Sequence, residues 1–163
     1  MIKQLLNTQN LAEARAKLYQ LLAAVYLKSP DEDFLKLLAV WVSSSVRNED
    51  ASQLLSEPMR QSLARLDSFF EEKREGSWEK LEEKVSVEFT RLFRAVKRRY
   101  SPLPPYESLY RGESGRVFDD VTVDVLREYH RYGLELTSSL SGEPPDHISF
   151  ELEFMSFLCN REV

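Results

Sequence analysis

The stretch SGEPPDHISFELEFMSFLCNREV, near the end of the chain, sets an acid and one of only two histidines behind paired prolines. His147 and Glu151 stand four residues apart, so on a helix they share a face and both could reach one metal ion. Structural zinc wants four ligands and catalytic zinc usually three. The other soft candidates are Cys159, about three helical turns on, and His130 in a different periodic segment. No ligand set assembles from these, and a solvent-facing His–Glu pair is the simpler expectation. Nucleophilic chemistry fares no better. The sequence has no G-x-S-x-G elbow, no glycine loop of the phosphate-binding kinds and no cysteine placed with a base. Ser108 lies in a proline-rich segment without an identifiable activating partner. The expectation is therefore no catalytic residue, no metal, no cofactor and no enzyme.

Two segments have a composition better suited to recognition. In YSPLPPYESLY, Tyr100, Tyr106 and Tyr110 crowd around rigid prolines. Proline fixes its own φ and restricts the residue before it, so such a loop can hold rings in place without a helix beneath them. Aromatic faces beside the carboxylate of Glu107 would receive an extended peptide bearing arginine, through stacking, cation–π attraction and charge-assisted hydrogen bonds. From the spacing alone, a loop packing its tyrosines onto its own core is slightly the better explanation. Asp146, after Pro144 and Pro145, reads most simply as an N-cap or first-turn acid. The free N–H groups of that helix start could also receive a carbonyl or an acid.

The elements that position these residues are helical nearly throughout. Leu11, Leu18, Leu21, Leu22 and Val25 form one stripe, and PDEDFLKLLAVWVSSSV opens with proline and acids, as helix starts do. A further amphipathic stretch runs from about Ser52 to Glu75, with Pro58 separating two pieces. After a break at Gly76 and Ser77, the residues Leu81, Val85, Phe89, Leu92 and Phe93 make a strong stripe. The cations Arg94, Lys97, Arg98 and Arg99 are expected in its last turns. SPLPPYESLYRGESGRVFDD reads as a structured loop. Helix resumes with Asp119 or Asp120 as N-cap and stops at Gly133, and the final helix presents Ile148, Leu152, Met155 and Leu158 on one face. No alternating strand pattern appears. The expected fold is a single all-α domain over 1–163, of about six or seven helices.

Composition narrows the partners. Hydrophobic residues make up 42% of 163 and charged ones 30%, which suits a globular chain able to bury one core. The formal charge of −5 disfavours nucleic acid, despite the basic run RAVKRRY, and favours a cationic ligand. A lone cysteine fits a reducing compartment. No secretory signal and no window of about 18 apolar residues is apparent, so the expectation is cytoplasmic, without stable membrane insertion.

Four segments, EFTRLFRAV, YSPLPPYESLYRG, DVLREYHRYGLEL and PPDHISFELEFMSFL, follow one another in an order and spacing that resembles the TorD/DmsD/NarJ-type maturation chaperones. The resemblance runs from about Leu11 to the end. It implies a TorD-like helical bundle without enzymatic activity. Its job would be to bind the N-terminal leader, often a twin-arginine signal peptide, of the catalytic subunit of a molybdopterin oxidoreductase. The chaperone then assists folding, molybdenum-cofactor insertion and assembly before export or membrane attachment. Molybdenum-cofactor biosynthesis proteins are further implied partners. The family's recognition residues correspond to Phe89, Leu92 and Phe93, to Pro105, Tyr106, Ser108 and Tyr110, and to Asp146 and His147. Tyr100, Glu107 and Glu151 join them on the physical argument above. Family members usually continue with more helices after EFMSFL. Truncation, a missing tail, or cover by another chain, including a domain-swapped homodimer, all remain open, as does a monomer. The competing readings are a generic helical adaptor without a molybdoenzyme client and a small hydrolase or nucleotide-binding enzyme using His147 and Glu151.

Overall fold

The computed structural model describes residues 2–48, 55–74, 76–94, 102–137 and 142–162, with side chains from residue 11 onward and excepting residue 74. Among them the chain is all-α: α1 (Ile2–Leu27), α2 (Glu32–Arg47), α3 (Glu57–Arg74), α4 (Trp78–Phe93), α5 (Glu107–Arg111), α6 (Asp120–Arg131) and α7 (Ile148–Arg161). Two compact units emerge. One comprises Met1–Lys28 with Arg91–Val163, and the other Ser29–Thr90.

The Ser29–Thr90 unit is built on Leu35, Ala39 and Val42 of α2, Phe70 of α3 and Leu81 of α4. Trp78 stacks on Phe70 with ring centroids 6.3 Å apart. Asp31 caps α2 by accepting from the Phe34 N–H at 3.0 Å. The Glu82 carboxylate of α4 takes a second orphan donor, the Glu32 N–H, at 3.1 Å. Pro58 sits in the first turn of α3, where its missing N–H would have gone unpaired anyway. The piece expected before it falls mostly outside the described residues.

In the other unit α1 packs most closely against α7. The buried seam is not the leucine stripe expected for α1. Leu11 is 60% exposed, whereas Ala12, Ala16 and Ala23 are buried. The α7 side behaves alike: Ser149, Phe150, Ser156 and Cys159 are buried and Met155 is 39% exposed. Mostly small residues on both helices let the two backbones approach closely, and the longer leucines flank the seam half-buried.

Three local expectations need correction. The proline segment holds a helical turn, α5, where an irregular loop was expected. Helix α4 ends at Phe93, so Arg94 lies just beyond it; Arg94 donates from Nη2 to the Leu27 carbonyl at the end of α1, at 2.9 Å. A guanidinium there satisfies an orphan carbonyl and complements the helix dipole. Lys97, Arg98 and Arg99 lie outside the described residues. The N-cap of α7 is His147 rather than Asp146. Asp119 caps α6 as expected, and Gly133 follows its last turn at φ 72°, a conformation glycine adopts without a Cβ penalty.

Candidate functional site

The site is assembled where the proline loop crosses the start of α7. Tyr106 and His147 form an antiparallel bridge. In it the Glu107 N–H donates to the Asp146 carbonyl and the Ile148 N–H to the Pro105 carbonyl, both at 2.9 Å. The Asp146 side chain also accepts the Ser108 N–H at 2.9 Å. Tyr106, the N-cap residue of α5, makes no side-chain cap, so the acid that caps this short helix comes from 38 residues away. Gly112 closes α5 in a space only glycine fits: a Cβ there would stand 2.4 Å from the Ser108 carbonyl and 2.0 Å from Asp119 Oδ2.

His147 accepts the Ser149 N–H on Nδ1 at 3.2 Å and has Ser149 Oγ 2.6 Å away. Burial, and secondarily the Arg94 charge, lower its pKa to about 4. The imidazole is thus neutral near pH 7, with Nδ1 as the acceptor and the proton on Nε2. Its ring meets Tyr106 edge-on, centroids 5.1 Å apart. The Tyr106 hydroxyl donates to Glu143 at 2.5 Å, and Glu143 also pairs with Arg94. The expected solvent-facing His–Glu pair is corrected here: His147 is buried because it serves as a cap and a packing ring.

Beside this latch opens a cleft of about 480 Å³. Its walls are Tyr26, Leu92, Phe93, Pro102, Leu103, Pro105, Tyr106, Tyr110 and Ile148, with Glu107, Arg111 and Glu151 as its charged members. Tyr26 and Phe93 meet edge-to-face at 5.2 Å. Tyr110 is fixed by its hydroxyl donating to the Leu103 carbonyl at 2.8 Å, while 63% of the residue remains exposed. Arg111 pairs with Glu107 across one turn of α5. Glu151 has its pKa raised to about 7, first by burial, then by the charges of Glu107 and Asp146. A half-buried carboxyl beside two others holds its proton into the neutral range.

Of the residues picked from sequence, Leu92, Phe93, Pro105, Tyr106, Glu107, Tyr110 and Glu151 line this cleft together. Ser108, Asp146 and His147 are fully buried in the latch that shapes it. Phe89 is buried and belongs to the Ser29–Thr90 unit. Tyr100 lies outside the described residues. Sequence reading missed Tyr26, Pro102, Leu103, Arg111 and Ile148. Only Arg111 carried a signal, its i,i+4 spacing from Glu107.

A second, smaller groove of about 250 Å³ runs between Tyr129, Leu134, Leu136, Phe150, Phe154 and Phe157, with Glu135 and Glu153 at its edges. Among the described residues no cluster of three or more His, Cys, Asp or Glu could hold a metal, and no helix is long and apolar enough to cross a membrane.

Residues 52–163 match the nitrate reductase delta subunit family. The structure resembles that of a candidate redox enzyme maturation protein from Archaeoglobus fulgidus. The two are 30% identical with a TM-score of 0.53, over 91% of this chain and 72% of the other. No curated protein gives a significant match.

Proposed function

The chain belongs to the nitrate reductase delta subunit family, and on that premise we propose that it is a maturation chaperone for a molybdenum-cofactor oxidoreductase. It acts without catalysis of its own, in the cytoplasm, by holding the N-terminal leader of the enzyme's catalytic subunit while folding, cofactor insertion and assembly proceed. A twin-arginine signal is the leader that suits it best. The observation carrying this reading is a single cleft in which aromatic and proline walls enclose two glutamates, Glu107 and Glu151.

The leader's apolar residues pack on Tyr26, Phe93 and Tyr110, in the manner of a peptide laid into a groove. An arginine reaches Glu107 and Glu151, where a planar guanidinium makes better paired hydrogen bonds than an ammonium. Asp146, wholly buried, supports the loop rather than touching the peptide, and His147 does the same. Proteins of molybdenum-cofactor synthesis are the further partners in this reading. The chaperone works as a monomer or as a homodimer, the latter with or without a domain swap.

Calorimetry with the client's leader peptide tests the placement. Glu151→Gln should weaken binding about tenfold, the scale of one lost charge-assisted contact, and Tyr106→Ala should weaken it by a similar factor through the lost apolar wall of the cleft. Unchanged affinity in both variants would remove the cleft from the account and leave a generic helical adaptor.

A further inference from the structure

Glu107 and Glu151 face the same cleft but are not equally provided for. Glu107 carries an ion pair from Arg111, whose side chain is 72% exposed. The Oε1 atom of Glu151 is buried and has no hydrogen-bond partner among the described residues. Arg111 itself lines the cleft, so the chain's own guanidinium stands on one of the two carboxylates assigned above to the leader's arginine.

We propose that Arg111 is an intramolecular competitor: its guanidinium occupies the cation position on Glu107, and an arginine side chain of the bound peptide enters by displacing it. This rests on the cleft being the leader site. An exposed ion pair is weakly held and easily exchanged. An incoming guanidinium, carried by a peptide that covers the cleft, gains what Arg111 lacks, shelter from water and a hydrogen bond to Glu151 Oε1. The groups acting on Glu151 are Glu107 and Arg111 from α5 and Asp146 from the turn before α7; Tyr129 of α6 is also within its field. Arg111 is further held by the field of Asp124. Swapping one guanidinium for another keeps the charge on Glu107 balanced, while an apolar or neutral residue entering in its place would leave the Glu107 carboxylate without its cation. Arg111 therefore acts as a specificity-determining residue: a leader lacking a cation has no means of replacing it.

The test is calorimetry with a synthetic peptide, acetyl-Leu-Leu-Arg-Leu-Phe-amide, and its isosteric citrulline counterpart. Both are titrated into wild type, Arg111→Gln, Arg111→Lys and Arg131→Gln. Arg131 is an exposed arginine of α6 paired with Glu128, so its variant controls for the change in net charge. Arg111→Gln should bind the arginine peptide roughly two- to fivefold more tightly than wild type, the worth of an exposed ion pair. Arg111→Lys should fall between, and neither the citrulline peptide nor Arg131→Gln should show the gain. Equal or weaker binding of the arginine peptide by Arg111→Gln overturns the competitor while leaving the cleft reading standing. So does a gain shared by Arg131→Gln or by the citrulline peptide. Binding of neither peptide by any of the four proteins overturns both.

Discussion

At the start of α5 the Ser108 N–H needs an acceptor, and the side chain of Tyr106 in the N-cap position supplies none. Asp146 provides it from the far side of the loop crossing, fully buried and at 2.9 Å. Asp146→Ala should therefore cost about 1–3 kcal/mol, the penalty for a buried donor left without a partner. Asp146→Asn, which keeps an acceptor oxygen, should recover much of it in the same denaturant titration. The two titrating groups nearby pull stability in opposite directions. His147 has its folded pKa lowered to about 4 from 6.5. The unfolded chain takes up its proton first, and stability present above about pH 6.5 is lost as pH falls toward 4. Glu151 has its folded pKa raised from 4.5 to about 7. The folded chain keeps its proton longer, and stability present below about pH 4.5 is lost as pH rises through 7. Glu151→Gln should thus gain on wild type steadily between pH 4.5 and 7, as read from denaturant midpoints at each pH. The same proton affects binding. A guanidinium favours the ionised carboxylate, so affinity for an arginine peptide should strengthen as pH rises through 7 in wild type and stay flatter in Glu151→Gln.

Helix pairing follows from small residues more than from large ones. Ala16 of α1 is buried, as are Ser149, Phe150, Ser156 and Cys159 of α7, the helix it packs against. Ala16→Leu should destabilise the chain by about 1–3 kcal/mol through overpacking, although it improves the apolar stripe on paper; thermal melts would show it. This is also where the sequence misleads. Period and caps were legible: the all-α class, the breaks at Gly76 and Gly133 and the Asp119 cap all follow from local rules. Which stripe a helix buries was not. Hydrophobicity ranks Leu11 and Met155 above Ala16 and Ser156, yet it is the latter two that are buried. The candidate site divides the same way. Tyr106, Glu107 and Tyr110 stood out in one segment, but Tyr26 reaches the cleft from α1 and Ile148 from α7, through tertiary packing that no local spacing encodes. Asp146 read as the cap of its own helix because a long-range cap leaves no local pattern.

For the molecule as a whole, family membership rests on residues 52–163, and the cleft draws besides on Tyr26 of α1. A net charge of −5 favours encounter with a basic leader and predicts that association slows as salt rises. The central proposal is that the cleft holds the leader of a molybdenum-enzyme catalytic subunit. The most direct measurement is quantitative mass spectrometry of proteins co-purifying with the tagged chain from its own cells, wild type beside a Glu107→Gln/Glu151→Gln double variant. The expected result is a molybdenum-enzyme catalytic subunit enriched with wild type. It should be lost when that subunit's leader is deleted and reduced about a hundredfold with the double variant, on the scale of two lost charge-assisted contacts. Equal recovery by the double variant, or recovery that survives deletion of the leader, would contradict it.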